Sequence, residues 1–298
     1  MAGAITPPAD SGFVVPQTCD TMRPMPSTPD ATPVVPTDMP ENAPRLVAFD
    51  LDGTLAPSKS PMPTRMATAL RALLDVIPVC VISGGQIGQF RQQVLARLDA
   101  RPDQLARLHL MPTCGTRYYT YNADDGDWTL VYANDLTPEQ VAQACAVVES
   151  EARRLGLWEE QTWGPALEDR GSQITFSALG QEAPLEAKQA WDPTGEKKGR
   201  LRDAVAARLP ELEVRSGGST SVDITRKGID KAYGMRRLAE VTGIALEQML
   251  FVGDRLDPDG NDYPVKAMGV TCQAVGTWED TAAFVTDLAA RIAAGDRN

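Results

Sequence analysis

A short apolar run that ends in two acids and a glycine constrains the fold of this chain most strongly. Residues 45–50 read RLVAFD, and Leu51, Asp52 and Gly53 follow directly. Such a run is typical of a strand buried on both faces of a parallel sheet. Four further runs have the same character: 77–83, 108–111, 249–254 and 269–275. Helical spacing of apolar residues separates them, at 64–76, 86–99, 230–242 and 279–294. The pattern predicts an α/β, Rossmann-like, doubly wound parallel sheet.

The middle of the chain follows a different pattern. Residues 117–132 alternate aromatic and polar side chains around a DDGD turn, which predicts an antiparallel hairpin. Two more alternating stretches and two helical patterns follow, at 172–179, 221–225, 137–155 and 197–209. We therefore predict a catalytic core formed by 45–115 and 227–298, with an inserted α+β module at 116–226.

The first 44 residues contain ten of the 23 prolines and show no periodicity. This composition predicts a disordered, Pro-rich N-terminal tail over 1–44. The first ten residues lack the basic and apolar segments of a secretory signal, and no stretch approaches the roughly 20 apolar residues of a membrane span. We therefore expect no membrane partner.

Charge and cysteine content narrow the function classes. The formal net charge is −11, which argues against nucleic acid as a partner because phosphate backbones require a basic surface. Phosphorylated small molecules remain compatible, since a bound metal or local cations can override the global charge. The five cysteines form no CxxC pair and fit reduced thiols in a cytoplasmic location.

The first candidate site residues are Asp50 and Asp52, two carboxylates just past the end of a buried strand. Ligands of open α/β sheets bind at the carboxyl ends of strands. Two nearby acids repel each other unless a cation lies between them, and a hard cation such as Mg²⁺ suits carboxylate ligands. Gly53 allows a sharp turn there. A solvated acidic turn is the structural alternative.

Other candidates follow other strands. Ser83 ends a predicted strand before Gly84, and its hydroxyl together with free backbone N–H groups could hold phosphoryl oxygens. A plain turn would have the same sequence. Lys231 lies near the start of a predicted helix, where it could neutralise a phosphoryl group or remain a surface lysine. The strand MLFVGD delivers Asp254 to a strand end, and Asp262 follows in GND.

The segment VAFDLDGTL resembles the first motif of the haloacid dehalogenase superfamily. Ser83, the GIDK setting of Lys231 and the GDxxxxxxND order resemble its other motifs. The resemblance implies that Asp50 attacks phosphorus and that Asp52 protonates the leaving group and later activates water. It implies phosphoryl-oxygen contacts for Ser83, Thr54 and Gly84.

Mg²⁺ is the cofactor that this resemblance implies. The expected ligands are the Asp50 carboxylate, the Asp52 backbone carbonyl and Asp254. Asp262 is expected to order metal-bound water or to support Lys231. The inserted module has the position of a C2-type cap in subfamily IIB, and GGSTSVDITRKGIDK resembles the phosphomannomutase branch and its bacterial phosphatase relatives.

Residues of the predicted cap distinguish a phosphatase from a mutase. Arg170 matches the first cap arginine of the mutases, but Gln181 and Lys188 stand at the second and third positions, and Lys59 replaces a further arginine. Ser221 and Asp223 match residues that contact sugar hydroxyls and phosphate. Because arginine binds phosphate bidentately and lysine does not, the expected anion clamp is weaker than a mutase requires.

We therefore predict a Mg²⁺-dependent sugar-phosphate phosphatase, with a hexose-phosphate mutase of the phosphomannomutase type as the alternative. A third interpretation is a non-catalytic phospholigand sensor, which would have no need for a nucleophile at Asp50. A homodimer is compatible with the sequence. For Arg170, a salt bridge inside the cap is the structural alternative.

Overall fold

The structure is a computed structural model that describes residues 43–218 and 220–295. The tail predicted over 1–44 lies outside the described residues, apart from 43–44. Eleven strands form two sheets in the described part of the chain. Their bounds are β1 Leu46–Phe49, β2 Val79–Ile82, β3 Leu108–Met111, β4 Arg117–Asn122, β5 Asp127–Ala133, β6 Leu167–Asp169, β7 Gln173–Ser177, β8 Leu212–Ser216, β9 Ser221–Arg226, β10 Met249–Gly253 and β11 Thr271–Ala274.

The helices lie close to their predicted positions where the apolar spacing is strong. Their bounds are α1 Thr64–Val76, α2 Ile87–Phe90, α3 Ala96–Leu98, α4 Pro102–Leu105, α5 Pro138–Arg154, α6 Leu185–Trp191, α7 Glu196–Arg208, α8 Lys231–Thr242, α9 Tyr263–Ala267 and α10 Trp278–Ala294. A π-helical turn, Arg91–Leu95, joins α2 to α3. Throughout 43–218 and 220–295, every helix is too short or too polar to cross a membrane.

The larger sheet has the order β11-β10-β1-β2-β3-β4-β5. Its first five strands are parallel, which confirms the predicted doubly wound sheet. Alternate residues of β1 point to opposite faces: Val47 and Phe49 pack in a cluster with α1 and α10, whereas Leu46 and Ala48 pack with α8 and α9. Both faces are covered, which explains why these strands are nearly continuous apolar runs.

The hairpin β4–β5 differs from the sequence expectation. It formed the start of the predicted inserted module at 116–226, but β4 pairs antiparallel with β3 and therefore extends the larger sheet. Alternation correctly predicted an antiparallel hairpin, but it carries no information about which sheet the hairpin joins. Apart from this hairpin, the division into core and cap stays a prediction.

The smaller sheet has the order β6-β7-β9-β8 and is antiparallel. Two helices, α5 and α7, cover one face and share a separate apolar cluster with it, which includes Val148, Phe176 and Val205. The sequence predicted β7, β9 and both helices, but it missed β6, β8 and α6. The last three are short and carry charged side chains, so their apolar periodicity is weak.

The only histidine, His109, is half-buried in β3, where its Nδ1 lies 2.7 Å from the Tyr118 hydroxyl. Burial lowers its pKa to about 4. In the unfolded chain, His109 has its ordinary pKa of about 6.5, so it takes up a proton there before it does in the folded protein. The free energy of unfolding should therefore fall as the pH drops from about 6.5 to 4, by about 3 kcal/mol in total.

Urea unfolding from pH 7 to pH 4 checks this, with His109→Gln as the comparison. Gln keeps a polar partner for Tyr118 but does not titrate, so the variant should lose less stability on acidification than the wild type. Equal losses in the two proteins would contradict the expectation.

Candidate active site

The predicted site residues meet where three parallel strands end. Asp50 follows β1, Ser83 follows β2 and Asp254 follows β10. Since β1 lies between β2 and β10, these residues share one edge of the sheet. The Asp50 N–H donates to the carbonyl of Val252 at 3.0 Å, which continues the ladder and fixes the start of the loop.

Lys231 begins helix α8, whose N-cap is Asp230; the Asp230 side chain accepts from the N–H of Tyr233. Its ammonium group donates to the carboxylates of both Asp50 and Asp262. All three side chains are buried, and Lys231 is only 1% exposed. The structure thus brings together three predicted residues that lie up to 212 positions apart in the chain.

Asp50 and Lys231 shift each other's pKa, and Asp262 acts on both. Burial raises the pKa of Asp50 to about 7, with a smaller rise from Asp262, while Lys231 opposes the increase. Burial lowers the pKa of Lys231, but Asp50 and Asp262 outweigh that effect, so the net shift is upward. The lysine therefore keeps its charge at neutral pH and compensates the carboxylates beside it.

Asp50, Asp254 and Asp262 form an acidic cluster in which one oxygen of each lies within 4.8 Å of the others. When all three carboxylates are ionised, the group with its one ammonium carries two negative charges, which a divalent cation would balance. All the donor atoms are oxygens, as Mg²⁺ prefers. The cluster therefore fits a magnesium site. The predicted Asp52 ligand, a backbone carbonyl, stays a prediction.

Gly53 and Thr54 shape the edge of this cluster. Gly53 has φ +90°, and a Cβ there would lie 2.4 Å from the Asp254 Oδ2 atom, so any other residue would displace that carboxylate. The Thr54 hydroxyl, predicted to bind substrate, donates to Asp254 Oδ1 at 3.4 Å. Asp262 also accepts from the Arg255 N–H at 3.1 Å, which orients it toward Lys231.

The Asp52 carboxylate lies outside the acidic cluster and is half-buried. It accepts the backbone N–H of Lys59 and the side-chain amides of Gln89 and Gln93. Sequence reasoning missed both glutamines. The available signal was their i, i+4 spacing in the helix that directly follows the Ser83 loop.

Ser83 is buried, and its hydroxyl accepts the N–H of Gly85 at 3.3 Å. A turn after β3 holds this loop: the N–H of Cys114 donates to the Ser83 carbonyl, and that of Thr113 to the Gly85 carbonyl, both at 2.9 Å. Thr113 and Cys114 have positive φ angles of 48° and 57°. Positive φ at a β-branched residue is strained, and such strain concentrates at functional sites.

The same turn contacts the helix that carries Lys231. A Cβ on Gly115 would lie 2.5 Å from the Gly234 Cα. Backbone therefore packs directly on backbone here, which ties the Ser83 loop to α8. Sequence reasoning missed this element, because PTCGT gives only a turn signal.

Two of the predicted cap residues, Arg170 and Lys188, make hydrogen bonds in the structure. Arg170 makes the salt bridge that was its structural alternative, to Glu168 at 2.7 Å, and its Nη1 also reaches the Gly84 carbonyl at 3.4 Å. Lys188 donates to the carbonyl of Gln181 at 2.9 Å. Burial lowers the pKa of Lys188, and the charge of Lys59 lowers it further.

Asp223 is partly buried in β9 and accepts the Thr175 hydroxyl at 2.8 Å. Burial raises its pKa, against the smaller effects of Thr175, Arg170 and Lys59. Ser221 begins the same strand and is also partly buried. A cavity of about 290 Å³ opens beside Arg170; its walls include Gln86, Thr113 and Arg117.

Comparisons with known proteins agree with this geometry. A family model described as haloacid dehalogenase-like hydrolase matches residues 181–264, which include Lys231, Asp254 and Asp262. The chain is 24% identical over 226 residues to the phosphomannomutase of Encephalitozoon cuniculi, covering 73% of this chain and 82% of that protein. It is 24% identical over 253 residues to the phosphomannomutase of Spinacia oleracea, covering 82% and 96%.

Solved structures show the same fold. The IMP-nucleotidase of Plasmodium falciparum matches with a TM-score of 0.64 at 14% identity, over 84% of this chain and 69% of that one. A haloacid dehalogenase-like hydrolase from Bacteroides thetaiotaomicron matches with a TM-score of 0.54 at 16% identity, over 82% and 99%.

Fold, site and comparisons together support an enzyme of the phosphoryl-transfer kind that is similar to haloacid dehalogenase-like hydrolases. The similarity extends to hydrolases of the IIB type and to the phosphomannomutase branch, which confirms the resemblance seen in the sequence.

Proposed function

We propose that the chain is a Mg²⁺-dependent phosphatase that hydrolyses a small phosphomonoester, a sugar phosphate, through an aspartyl-phosphate on Asp50. The observation that carries this proposal is the buried Asp50 carboxylate, bonded to Lys231 and grouped with Asp254 and Asp262. A nucleophile beside a buried ammonium and an acidic cluster is an arrangement for attack on an anionic phosphorus centre.

The reaction has two steps. In the first, an Asp50 oxygen bonds to phosphorus, the bond from phosphorus to the sugar oxygen breaks, and Asp52 gives that oxygen a proton. In the second, water attacks phosphorus, gives a proton to Asp52, and the bond from phosphorus to Asp50 breaks to release phosphate. Ser83 and Lys231 would hold the phosphoryl oxygens in both steps.

Asp50, Asp254 and the Asp52 carbonyl would hold Mg²⁺, and Asp262 would orient Lys231 or a metal-bound water. Bound Mg²⁺ supplies neutralisation of charge on the phosphoryl oxygens. Lys231 neutralises part of the same charge from the side of α8, and its two carboxylate partners keep the ammonium fixed.

We further propose that the module after the hairpin acts as the cap over this site. Support comes from the contact between Arg170 and the Gly84 carbonyl, which joins the proposed cap to the Ser83 loop. Arg170, Lys188, Ser221 and Asp223 would contact the sugar phosphate from the cap, and Lys59 from the core. A homodimer and a cytoplasmic location remain predictions.

The mutase is the second candidate, and the names of the relatives favour it. The cations of this chain favour the phosphatase. A mutase holds a bisphosphorylated sugar in two orientations, which requires bidentate clamps. Here Arg170 is engaged by Glu168, and lysines stand at two other clamp positions, where they bind phosphate as point charges.

A paired assay tests the proposal. Phosphate release is measured across hexose and pentose phosphates with Mg²⁺, beside conversion of mannose 1-phosphate to mannose 6-phosphate. We expect phosphate release with at least one sugar phosphate and its loss when a chelator removes the metal. Conversion without free phosphate would establish the mutase instead, and activity that persists in excess chelator would contradict the metal requirement.

A further inference from the structure

We propose that Gln89 and Gln93 are positioning residues that hold the Asp52 carboxylate toward the leaving-group oxygen and the attacking water; this role rests on the proposed function. Gln89 Nε2 donates to Asp52 Oδ2 at 2.8 Å. Gln93 Nε2 donates to Oδ1 at 3.2 Å. With the Lys59 N–H at 2.6 Å from Oδ1, both carboxylate oxygens are held.

The helix geometry explains why two glutamines reach one carboxylate. Gln89 lies in α2 and Gln93 in the π-helical turn Arg91–Leu95. Residues four apart share a helix face, and the wider π turn keeps them on that face. Such turns inside α-helices occur frequently at functional sites. The exposed Gln92, one position away, points elsewhere.

Gln93 also anchors the loop that follows Asp52. Its side-chain amide donates to the Ser60 carbonyl at 2.8 Å, and its backbone carbonyl accepts the Met62 N–H at 2.8 Å. Gln93 is 4% exposed, and its Oε1 atom has no hydrogen-bond partner among the described residues. An unpaired buried amide oxygen is unfavourable. The side chain nevertheless keeps the orientation in which its N–H groups donate to Asp52 and Ser60.

Gly85 leaves room for the other glutamine. A Cβ at Gly85 would lie 1.9 Å from the Gln89 Oε1 atom. The Gln89 side chain therefore lies across the loop that begins with Ser83. This packing links the expected phosphate contact to the acid/base group, so both keep a fixed relation to the same phosphorus atom.

The test compares the wild type, Gln89→Leu and Gln92→Leu with p-nitrophenyl phosphate and with the best sugar phosphate. Nitrophenolate leaves without a proton, so formation of the aspartyl-phosphate should stay fast, while its hydrolysis still needs Asp52. For Gln89→Leu with p-nitrophenyl phosphate we expect kcat to fall by roughly tenfold to a hundredfold, with KM falling in parallel so that kcat/KM stays within about twofold of the wild type. A burst of about one nitrophenolate per enzyme should precede the slow phase.

Gln93→Met should behave in the same way, and because Gln89 is only partly buried, its Leu variant should fold like the Gln92→Leu control. Wild-type kcat in Gln89→Leu, or a fall matched by Gln92→Leu, would overturn the positioning role while leaving the phosphatase intact. A fall in kcat without a burst would also overturn it, since the loss would then lie before aspartyl-phosphate formation. A wild type without turnover would overturn both proposals.

Discussion

Replacement of Asp50 with Asn is expected to abolish turnover, with kcat/KM lower by roughly 10⁴-fold or more. An amide cannot form the bond to phosphorus, so the aspartyl-phosphate intermediate cannot form. On the proposed mechanism, Ser83 and Lys231 would still bind the phosphoryl group, and Asp254 would still hold the metal. The loss should therefore appear in kcat, measured by phosphate release with Mg²⁺.

Stability separates this chemical loss from unfolding. Asn keeps the shape of Asp50, removes a carboxylate whose pKa is raised by burial, and leaves Lys231 paired with Asp262. These changes partly offset each other, so the free energy of unfolding should move by no more than about 1–2 kcal/mol. Asp259→Asn, at an exposed acid in the neighbouring loop, is the matched control and should keep wild-type kcat.

The phosphoenzyme gives a direct readout of the same prediction. Wild-type protein quenched during turnover should carry one phosphoryl group in intact-mass measurement, and Asp50→Asn should carry none. Residual kcat above about one tenth of wild type in Asp50→Asn would contradict the proposed nucleophile. Unchanged biological function with no turnover in either protein would support the phospholigand sensor.

The strand ends were predictable from the sequence, because an apolar run, an acid and a glycine are local features. Asp50, Ser83 and Asp254 each follow such a run, and parallel strands place their carboxyl ends together. Lys231 and Asp262 were predictable only through the family resemblance. Nothing in the local sequence shows that a helix N-terminus brings that lysine to Asp50.

The missed features depend on tertiary packing. The β4–β5 hairpin would show the same alternation in either sheet, so the sequence could not predict that β4 pairs with β3. Gln89 and Gln93 are ordinary polar residues of an amphipathic helix until Asp52 lies opposite them. The positive φ angles at Thr113 and Cys114 run against residue preference, because the Ser83 loop and Gly234 fix that turn from outside.

Lys231→Met is the variant expected to lose most stability. The ammonium compensates two buried carboxylates, and removing one partner of a buried ion pair typically costs about 3–5 kcal/mol. Urea unfolding in the presence of a chelator should show that loss. The matched control is the exposed Lys227→Met, which should change stability by less than about 0.5 kcal/mol.

Mg²⁺ should restore part of the stability lost in Lys231→Met. Without the ammonium, Asp50, Asp254 and Asp262 leave three negative charges instead of two, so the divalent ion is attracted more strongly and stabilises the variant more than the wild type. Turnover should stay low even at saturating Mg²⁺, since the metal cannot replace the cation that α8 supplies. A stability loss below about 1 kcal/mol in the chelator, or equal stabilisation of both proteins by Mg²⁺, would mean that the carboxylates do not depend on Lys231 for their charge balance.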